Sequence, residues 1–350
     1  MRALAILLVL ISAVCQAQTR HSAEIDRLIR AHVEKFGVVG LSVAVAKDGQ
    51  IVEQKAYGFA DLEHQVPVKP ETKFRLASIS KPVTAVAVMK LVEQGKIKLE
   101  EDARTYAPKF PQKEHPFTVR QLLCHQSGIR HYRGEAESKE AFLTVEAGLK
   151  RFADDPLLYK PGERYLYSTY AYTVLGLVIE GASGKEYRAF LEEEVFRPAG
   201  MANTLAEENR LIIPNRARGY RRGADGKPVN SEFMDNSYKW AGGGLVSTAS
   251  DMARFGSAIL QGKLLKPETV SLMWTPQIPS DNSQRNYCLG WTKGTIEGQT
   301  VYQHGGSQTG ARSMMIVIPD KGVSLCVLTN YENNSPGELA VAIASQFAKD

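Results

Sequence analysis

Extended segments lie near both ends of the chain, and the long stretch between them is mostly helical in pattern. Near the N-terminus, Leu41 to Ala46 and Ile51 to Tyr57 flank the turn residues Asp48 and Gly49, which predicts a β-hairpin. Further strands are predicted near the C-terminus at 300–303, 313–318 and 323–329. Apolar periodicity and end signals predict helices at 22–36, 83–93, 118–123, 170–181, 187–195, 249–262 and 336–348, whereas 219–237 is predicted to be a polar loop.

Strands from both termini must bury their apolar faces together, which predicts one antiparallel sheet flanked by helices, with an inserted all-helical lobe. The fold class is therefore α/β of the α+β type. Residues 18–350 are expected to form one domain, with a sheet lobe of about 22–77 and 290–350 and a helical lobe of about 78–289. A site is expected in the cleft between two such lobes.

The first residues have the pattern of a secretory signal peptide. Arg2 supplies the positive charge, Ala3 to Val14 is uncharged and mostly apolar, and small residues reach Ala17. This run is too short to span a bilayer stably, so we expect a signal peptide over 1–17 and a periplasmic or secreted protein. Cys15 would also suit a lipoprotein anchor, but Val14 before it is a poor fit to the small residue preferred there. No later stretch predicts an integral membrane span.

Composition excludes several classes of function. The net charge of +5 and the lack of a long basic run argue against nucleic-acid binding. Beyond the predicted signal, Cys124, Cys288 and Cys326 form neither a disulfide framework nor a zinc pattern, although one bridge is allowed. The histidines have no metal-ligand spacing, so neither a metal nor another cofactor is predicted.

A Ser-x-x-Lys sequence stands at Ser78 and Lys81, directly before an apolar helical run. Pro82 suits a first helical turn, so Ser78 is predicted at or just inside the helix N-terminus. Lys81 then lies about one turn further on the same face, where its amine can activate the hydroxyl as a nucleophile. By itself the pattern is weak, because an N-cap serine followed by a solvated lysine has the same spacing.

Two further motifs follow in order, Tyr167-Ser168-Thr169 and His304-Gly305-Gly306-Ser307. With Ser78 and Lys81 they resemble the serine β-lactamase-related hydrolases, the superfamily of class C β-lactamases and D-alanyl-D-alanine peptidases. Its members carry Ser-x-x-Lys, Tyr-x-Asn and Lys-Thr-Gly or His-x-Gly in this order. The segment Asp235–Gly244 is similar to the branch that includes the mitochondrial serine β-lactamase-like protein, and the resemblance extends from Gly40 to about Asn330.

The resemblance implies catalytic roles. Ser78 would attack a carbonyl carbon and become acylated, with Lys81 and Tyr167 sharing the removal of its proton. Which of these two takes the proton stays open, because burial and neighbouring charges can favour either. The backbone N–H groups of Ser78 and Ser307 would form the oxyanion hole.

The resemblance also implies that Thr169, His304, Gly305 and Gly306 bind substrate. A side chain at either glycine would block the approach of substrate to the strand. His304 stands where many β-lactamases have Lys, so it would orient Tyr167 or bind a carboxylate with a charge that depends on pH. Thr169 replaces the Asn of the family and offers one short hydroxyl in place of an amide. We therefore expect slow or no turnover of β-lactams.

The sequence thus predicts a serine hydrolase that works through an acyl-enzyme on Ser78. A peptidase is favoured, because the most similar branch is proteolytic. One alternative is an esterase, or a D-amino-acid peptidase with weak β-lactamase activity, acting on cell-wall-like substrates. Another is a non-catalytic assembly protein, because that branch also polymerises, which makes a homo-oligomer compatible with the sequence. The expected partner is a peptide or ester substrate.

Overall fold

The computed structural model describes residues 21–133 and 139–349. The predicted signal peptide and Cys15 lie outside the described residues. The α-helices are α1 (21–36), α2 (Ser80–Glu93), α3 (Val119–Leu123), α4 (Val145–Gly148), α5 (Thr169–Ser183), α6 (Tyr187–Leu191), α7 (Arg197–Ala199), α8 (Trp240–Gly243), α9 (Ala249–Leu260), α10 (Pro267–Met273) and α11 (Pro336–Ala348). The strands are β1 (Gly40–Lys47), β2 (Gln50–Asp61), β3 (Val66–Pro67), β4 (Phe74–Arg75), β5 (Leu205–Ala206), β6 (Tyr220–Arg222), β7 (Pro228–Asn230), β8 (Leu245–Ser247), β9 (Thr292–Ile296), β10 (Gln299–Gln308), β11 (Ala311–Ile318) and β12 (Val323–Thr329).

The main sheet confirms the predicted antiparallel architecture built from both ends of the chain. Its order is β3-β2-β1-β12-β11-β10-β9, so the N-terminal hairpin pairs with the C-terminal strands through β1 and β12. The side chains of β1 alternate between two cores. Leu41, Val43 and Val45 belong to the core that includes α1 and α11, whereas Ala44 and Ala46 belong to the core that includes α9 and the helical lobe. Burial on both faces explains the nearly continuous apolar run of this strand.

Helix α2 is the centre of the helical lobe. Every residue from Ser80 to Met89 is buried, and the helix packs against α5 and α8. A helix that is enclosed on all sides has little freedom to shift. The turn that precedes α2 is therefore held firmly between the two lobes.

Helix α9 departs from the predicted division into lobes. It lies within 78–289, yet it packs on β1 and β12 of the main sheet. Gly256 permits this close approach, because a Cβ there would lie 2.2 Å from the hydroxyl of Ser324. The segment 78–289 therefore contributes one helix to the sheet lobe.

Three local predictions differ from the structure. The predicted loop 219–237 contains the hairpin β6–β7, whose anchor Tyr220 is buried and accepts a hydrogen bond from the Leu62 N–H. Strand β9 was not predicted, because this edge strand lacks apolar alternation. The helix predicted at 187–195 continues as the π-helical segment Glu192–Phe196 and then as α7, which ends at Gly200 with φ +70°. Pro198 is tolerated because it lies in the first turn of α7.

None of the helices in the described ranges combines the length and the apolar character that crossing a bilayer requires.

Candidate active site

A cleft of about 810 Å³ lies between the turn before α2, the start of α5 and strand β10. Its walls include Ser78, Tyr167, Thr169 and the segment 304–307. Lys81 lies beneath the wall, beside Ser78. The structure therefore brings all the site residues that the sequence predicted into one place.

Ser78 lies in a 3₁₀ turn, Ala77–Ile79, and α2 begins two residues later at Ser80. The turn starts with Ala77 at φ +50°, a left-handed conformation that is uncommon for a residue with a side chain. Backbone pairing of Leu76 with Leu245 anchors the segment from behind. Ser78 is half-buried and exposed to the cleft, so its hydroxyl is held in a fixed position with access to solvent.

Lys81 is fully buried, and its amine makes three polar contacts. Nζ lies 3.2 Å from the Oγ of Ser78, and it donates to the Oγ1 of Thr169 at 3.2 Å and to the carbonyl of Gly242 at 2.6 Å. No acidic side chain of the described residues pairs with this amine. Burial, together with the charge of Lys239, holds the pKa of Lys81 well below its ordinary value.

The phenol ring of Tyr167 covers the amine of Lys81, whose Nζ lies 4.6 Å from the ring centroid. The ring also packs 4.3 Å from the imidazole of His125, centroid to centroid. Burial raises the pKa of Tyr167, although a hydrogen bond with Ser78 partly opposes this rise. The phenol is therefore protonated at neutral pH.

Lys239 is a second buried lysine in the cleft, and no functional role was predicted for it. Its ammonium contacts the sulfur of Met234 at 3.6 Å and lies over the rings of Tyr132 and Tyr238. Burial and the charge of Arg75 lower the pKa of Lys239 to about 7. The only sequence signal was its position within 235–244, the segment that carries the family resemblance.

Thr169 and His304 both line the cleft, and their polar side-chain atoms have partners within the protein. The Thr169 hydroxyl is buried and accepts from Lys81. His304 is also buried, and its ring nitrogens bond to the hydroxyl of Tyr287 and the carbonyl of Gly305. Burial, then the charge of Lys81, lowers the pKa of His304 to about 3. His304 is therefore neutral near pH 7, and its charge would change only at acidic pH.

The two glycines of β10 differ in the space that a side chain would find there. At Gly305 a Cβ would point into the cleft and meet nothing closer than the Met314 sulfur, at 3.6 Å. At Gly306 a Cβ would lie 2.1 Å from Ser313 Oγ and 2.5 Å from the carbonyl of Leu76. Gly306 is thus required for packing against the turn that holds Ser78. A glycine was expected there because a side chain would block substrate, and for Gly306 the packing is the reason instead.

We predict that Gly306→Ala displaces this turn and lowers the free energy of unfolding by about 1–3 kcal/mol, the usual cost of overpacking. Urea unfolding measures the change, and the rate of fluorophosphonate labelling should fall with it. Gly305→Ala is the matched control, with stability close to wild type. Equal stability of the two variants would contradict the packing argument.

The other open expectations concern cysteines and metals. Cys124, Cys288 and Cys326 are each buried as free thiols, so no disulfide joins them within the described ranges. One group in the described part of the chain, Asp61 with Glu63 and His64, has the spacing to hold a metal ion. It lies at the surface, outside the cleft walls, and its carboxylates already pair with Arg218.

The fold and the Ser-Lys-Tyr cluster define a serine β-lactamase-related hydrolase, and the chain belongs to the Beta-lactamase family, whose sequence profile matches residues 25–347. Among curated proteins, it is similar to the mitochondrial serine beta-lactamase-like protein LACTB of Homo sapiens. The two are 32% identical over 426 aligned positions, which cover 91% of this chain and 78% of the human protein. Penicillin-binding protein 4* of Bacillus subtilis is 28% identical, with 87% of this chain and 71% of that protein covered.

Among solved structures, the chain is similar to the octameric penicillin-binding protein homologue from Pyrococcus abyssi. The TM-score is 0.82 at 26% sequence identity, and the match covers 94% of this chain and 77% of the other. These likenesses place the chain among β-lactamase-like serine hydrolases that include penicillin-binding proteins.

Proposed function

We propose that this protein is a peptidase that forms an acyl-enzyme on Ser78 with Lys81 as the general base. The observation that carries the proposal is the buried amine of Lys81, 3.2 Å from the Ser78 hydroxyl and without an acidic partner among the described residues. A lysine in such a place is neutral at a pH where an exposed lysine is charged. It then has a lone pair that can accept a proton.

The hydrogen bonds around Lys81 fit a neutral amine. A neutral amine has two N–H donors and one lone pair. Thr169 and Gly242 accept the two donors, so the lone pair is left for the hydroxyl proton of Ser78. As that proton moves to Nζ, Oγ forms a bond to the carbonyl carbon of the substrate.

The remaining steps use Tyr167 and the oxyanion donors. The developing oxyanion would bind the backbone N–H groups of Ser78 and Ser307, which both line the cleft. When the amide bond breaks, the leaving nitrogen needs a proton, which the protonated phenol of Tyr167 would deliver. Lys81, protonated in the first step, restores the proton to Tyr167. Water then hydrolyses the acyl-serine ester.

A peptide substrate is supported by the free edge of β10. Strand β9 pairs with β10 only as far as Gln303, opposite Thr292. Residues 304–308 still pair with β11 on one side. On the other side, where β9 has ended, they have no strand partner among the described residues, and they line the cleft. An extended peptide could add to this edge through backbone hydrogen bonds, as in other β-augmentation complexes.

Two measurements test the proposal. Incubation with a fluorophosphonate should give a covalent adduct that mass spectrometry maps to Ser78, and its absence would favour the non-catalytic assembly protein. Peptide substrates are then compared with depsipeptides in which one flanking amide N–H is replaced by an ester oxygen. Slower cleavage of these depsipeptides is expected, whereas equal rates would exclude the proposed strand addition. Hydrolysis of matched ester substrates without cleavage of the corresponding amides would favour an esterase.

We also predict that β-lactam turnover is slow or absent. The Thr169 hydroxyl, at the position of the family Asn, is occupied by Lys81, and His304 carries no charge near neutrality. A β-lactam would therefore find neither the amide nor the cation that the Tyr-x-Asn and Lys-Thr-Gly motifs supply. Nitrocefin hydrolysis at rates typical of a resistance enzyme would refute this prediction.

A further inference from the structure

A chain of buried side chains connects the Tyr167 segment to strand β10. The Ser168 N–H donates to Nδ1 of His125 at 3.1 Å, and Nε2 of His125 lies 3.0 Å from the hydroxyl of Tyr287. That hydroxyl lies 3.2 Å from Nε2 of His304, and Nδ1 of His304 lies 2.7 Å from the carbonyl of Gly305. All three side chains are at least nine-tenths buried.

When both imidazole rings are neutral, the backbone groups at the two ends settle the direction of every hydrogen bond between them. The Ser168 N–H can only donate, so Nδ1 of His125 carries no proton and its Nε2 does. The Gly305 carbonyl can only accept, so His304 carries its proton on Nδ1 and its Nε2 is bare. Tyr287 therefore accepts from His125 and donates to His304.

We propose that Tyr287 is a positioning residue of this site, which holds His125 and His304 in opposite neutral tautomers and so locks the Tyr167 segment to strand β10. Ser168 follows Tyr167 directly, and the ring of His125 packs on the ring of Tyr167. At the other end, Gly305 lies two residues before Ser307. The hydroxyl of Tyr287 thus connects the phenol to the strand that would supply an oxyanion donor.

The ionisable groups around these side chains also disfavour protonation of either imidazole. His304 faces Lys81, Tyr167 and Tyr287, while His125 faces Lys81, His131 and the tyrosines at 165, 167, 172 and 287. No carboxylate appears among these groups. Protonating His304 would place an N–H against the Tyr287 O–H, which could then no longer donate to Nε2 of His304. A proton on either imidazole therefore breaks the chain.

Nitrogen-15 NMR of histidine-labelled full chain tests the tautomers directly. At pH 7 we expect His125 to carry its proton on Nε2 and His304 on Nδ1, assigned by His125→Gln and His304→Gln spectra. Neither resonance should titrate between pH 8 and pH 5. An Nε2-protonated His304, or titration of either ring near pH 6.5, would overturn the proposal.

The variant Tyr287→Phe removes the hydroxyl and keeps the ring. We expect the titration of His304 to move to higher pH, because protonation no longer opposes the Tyr287 O–H. The rate of fluorophosphonate labelling should fall about 10-fold, since small misplacements of reacting groups cost at least that much. Tyr165→Phe is the matched control, because Tyr165 packs on the rings of His125 and Tyr287 while its hydroxyl bonds to Gln284. Equal behaviour of both variants would overturn the positioning role.

The labelling experiment rests on the proposed hydrolase function, whereas the NMR measurement of the tautomers does not. A wild-type protein that is never labelled at Ser78 would end the proposed function even if both tautomers are as stated. If Tyr287→Phe fails to fold, the wild-type tautomers alone decide whether the chain exists as described.

Discussion

Replacing Ser78 with Ala should abolish fluorophosphonate labelling and lower hydrolysis of any identified substrate by about 10⁴-fold or more, as loss of a nucleophile does in other serine hydrolases. The hydroxyl is the group that faces both the cleft and the amine of Lys81. Because Ser78 is half-buried in a turn and caps no helix, the folded state should survive. Intact-protein mass spectrometry after labelling is the direct measurement.

The control for this result is Ser80→Ala, two residues further along the chain. Its hydroxyl is buried, donates to the Ala77 carbonyl and accepts from the Leu245 N–H. We expect a loss of stability of about 1 kcal/mol and continued labelling at Ser78. If Ser80→Ala also abolishes labelling without unfolding, or if Ser78→Ala keeps it, Ser78 is not the nucleophile.

The second large effect is expected for Lys81→Met, which removes the proposed base and keeps the volume of the side chain. Activity should fall about 10³-fold, within the usual range for a lost general base. The activity of Lys81→Arg should fall as far, because a guanidinium stays protonated and cannot accept the proton of Ser78. Lys90→Met, on the same helix, is the control, because that amine bonds at the opposite end of α2 to Leu264 and pairs with Glu194.

The pH dependence has a definite sign. Only neutral Lys81 can act as the proposed base, so we expect wild-type activity to rise with pH through the lowered pKa of this amine. The charge of Lys239 contributes to that lowering, so Lys239→Met should raise the pKa of Lys81 and move the acid side of the profile to higher pH. An unchanged or opposite shift would show that Lys239 does not act on Lys81.

Stability should respond to the same lysine. The pKa of Lys81 lies below its unfolded value of 10.5, so the unfolded chain binds more protons between these two values. The contribution of Lys81 to the free energy of unfolding therefore increases with pH across this window. Any stability advantage of Lys81→Met over wild type should shrink as the pH approaches 10, as measured by urea unfolding.

Much of the fold was readable because local patterns specify it. The hairpin of β1 and β2 follows from the Asp48-Gly49 turn, and the closing helix was predicted at its observed bounds, 336–348, from its proline start and apolar face. The spacing of Ser78 and Lys81 places both groups on one side of the chain within about one turn. Strand β9 and the hairpin β6–β7 were missed, because their sequences lack the apolar alternation that predicts a strand, although each pairs with a neighbouring segment.

The sequence by itself determined the order of the elements and the set of reactive groups, because helix and strand periodicity and the motif spacings act over a few residues. Only the tertiary structure decided how those groups behave. The partners of Lys81 at Thr169 and Gly242 lie 88 and 161 positions away, and Tyr287 reaches His125 across 162. Burial and hydrogen bonding set the pKa and tautomer of a side chain, and both depend on neighbours that the fold brings from far along the chain.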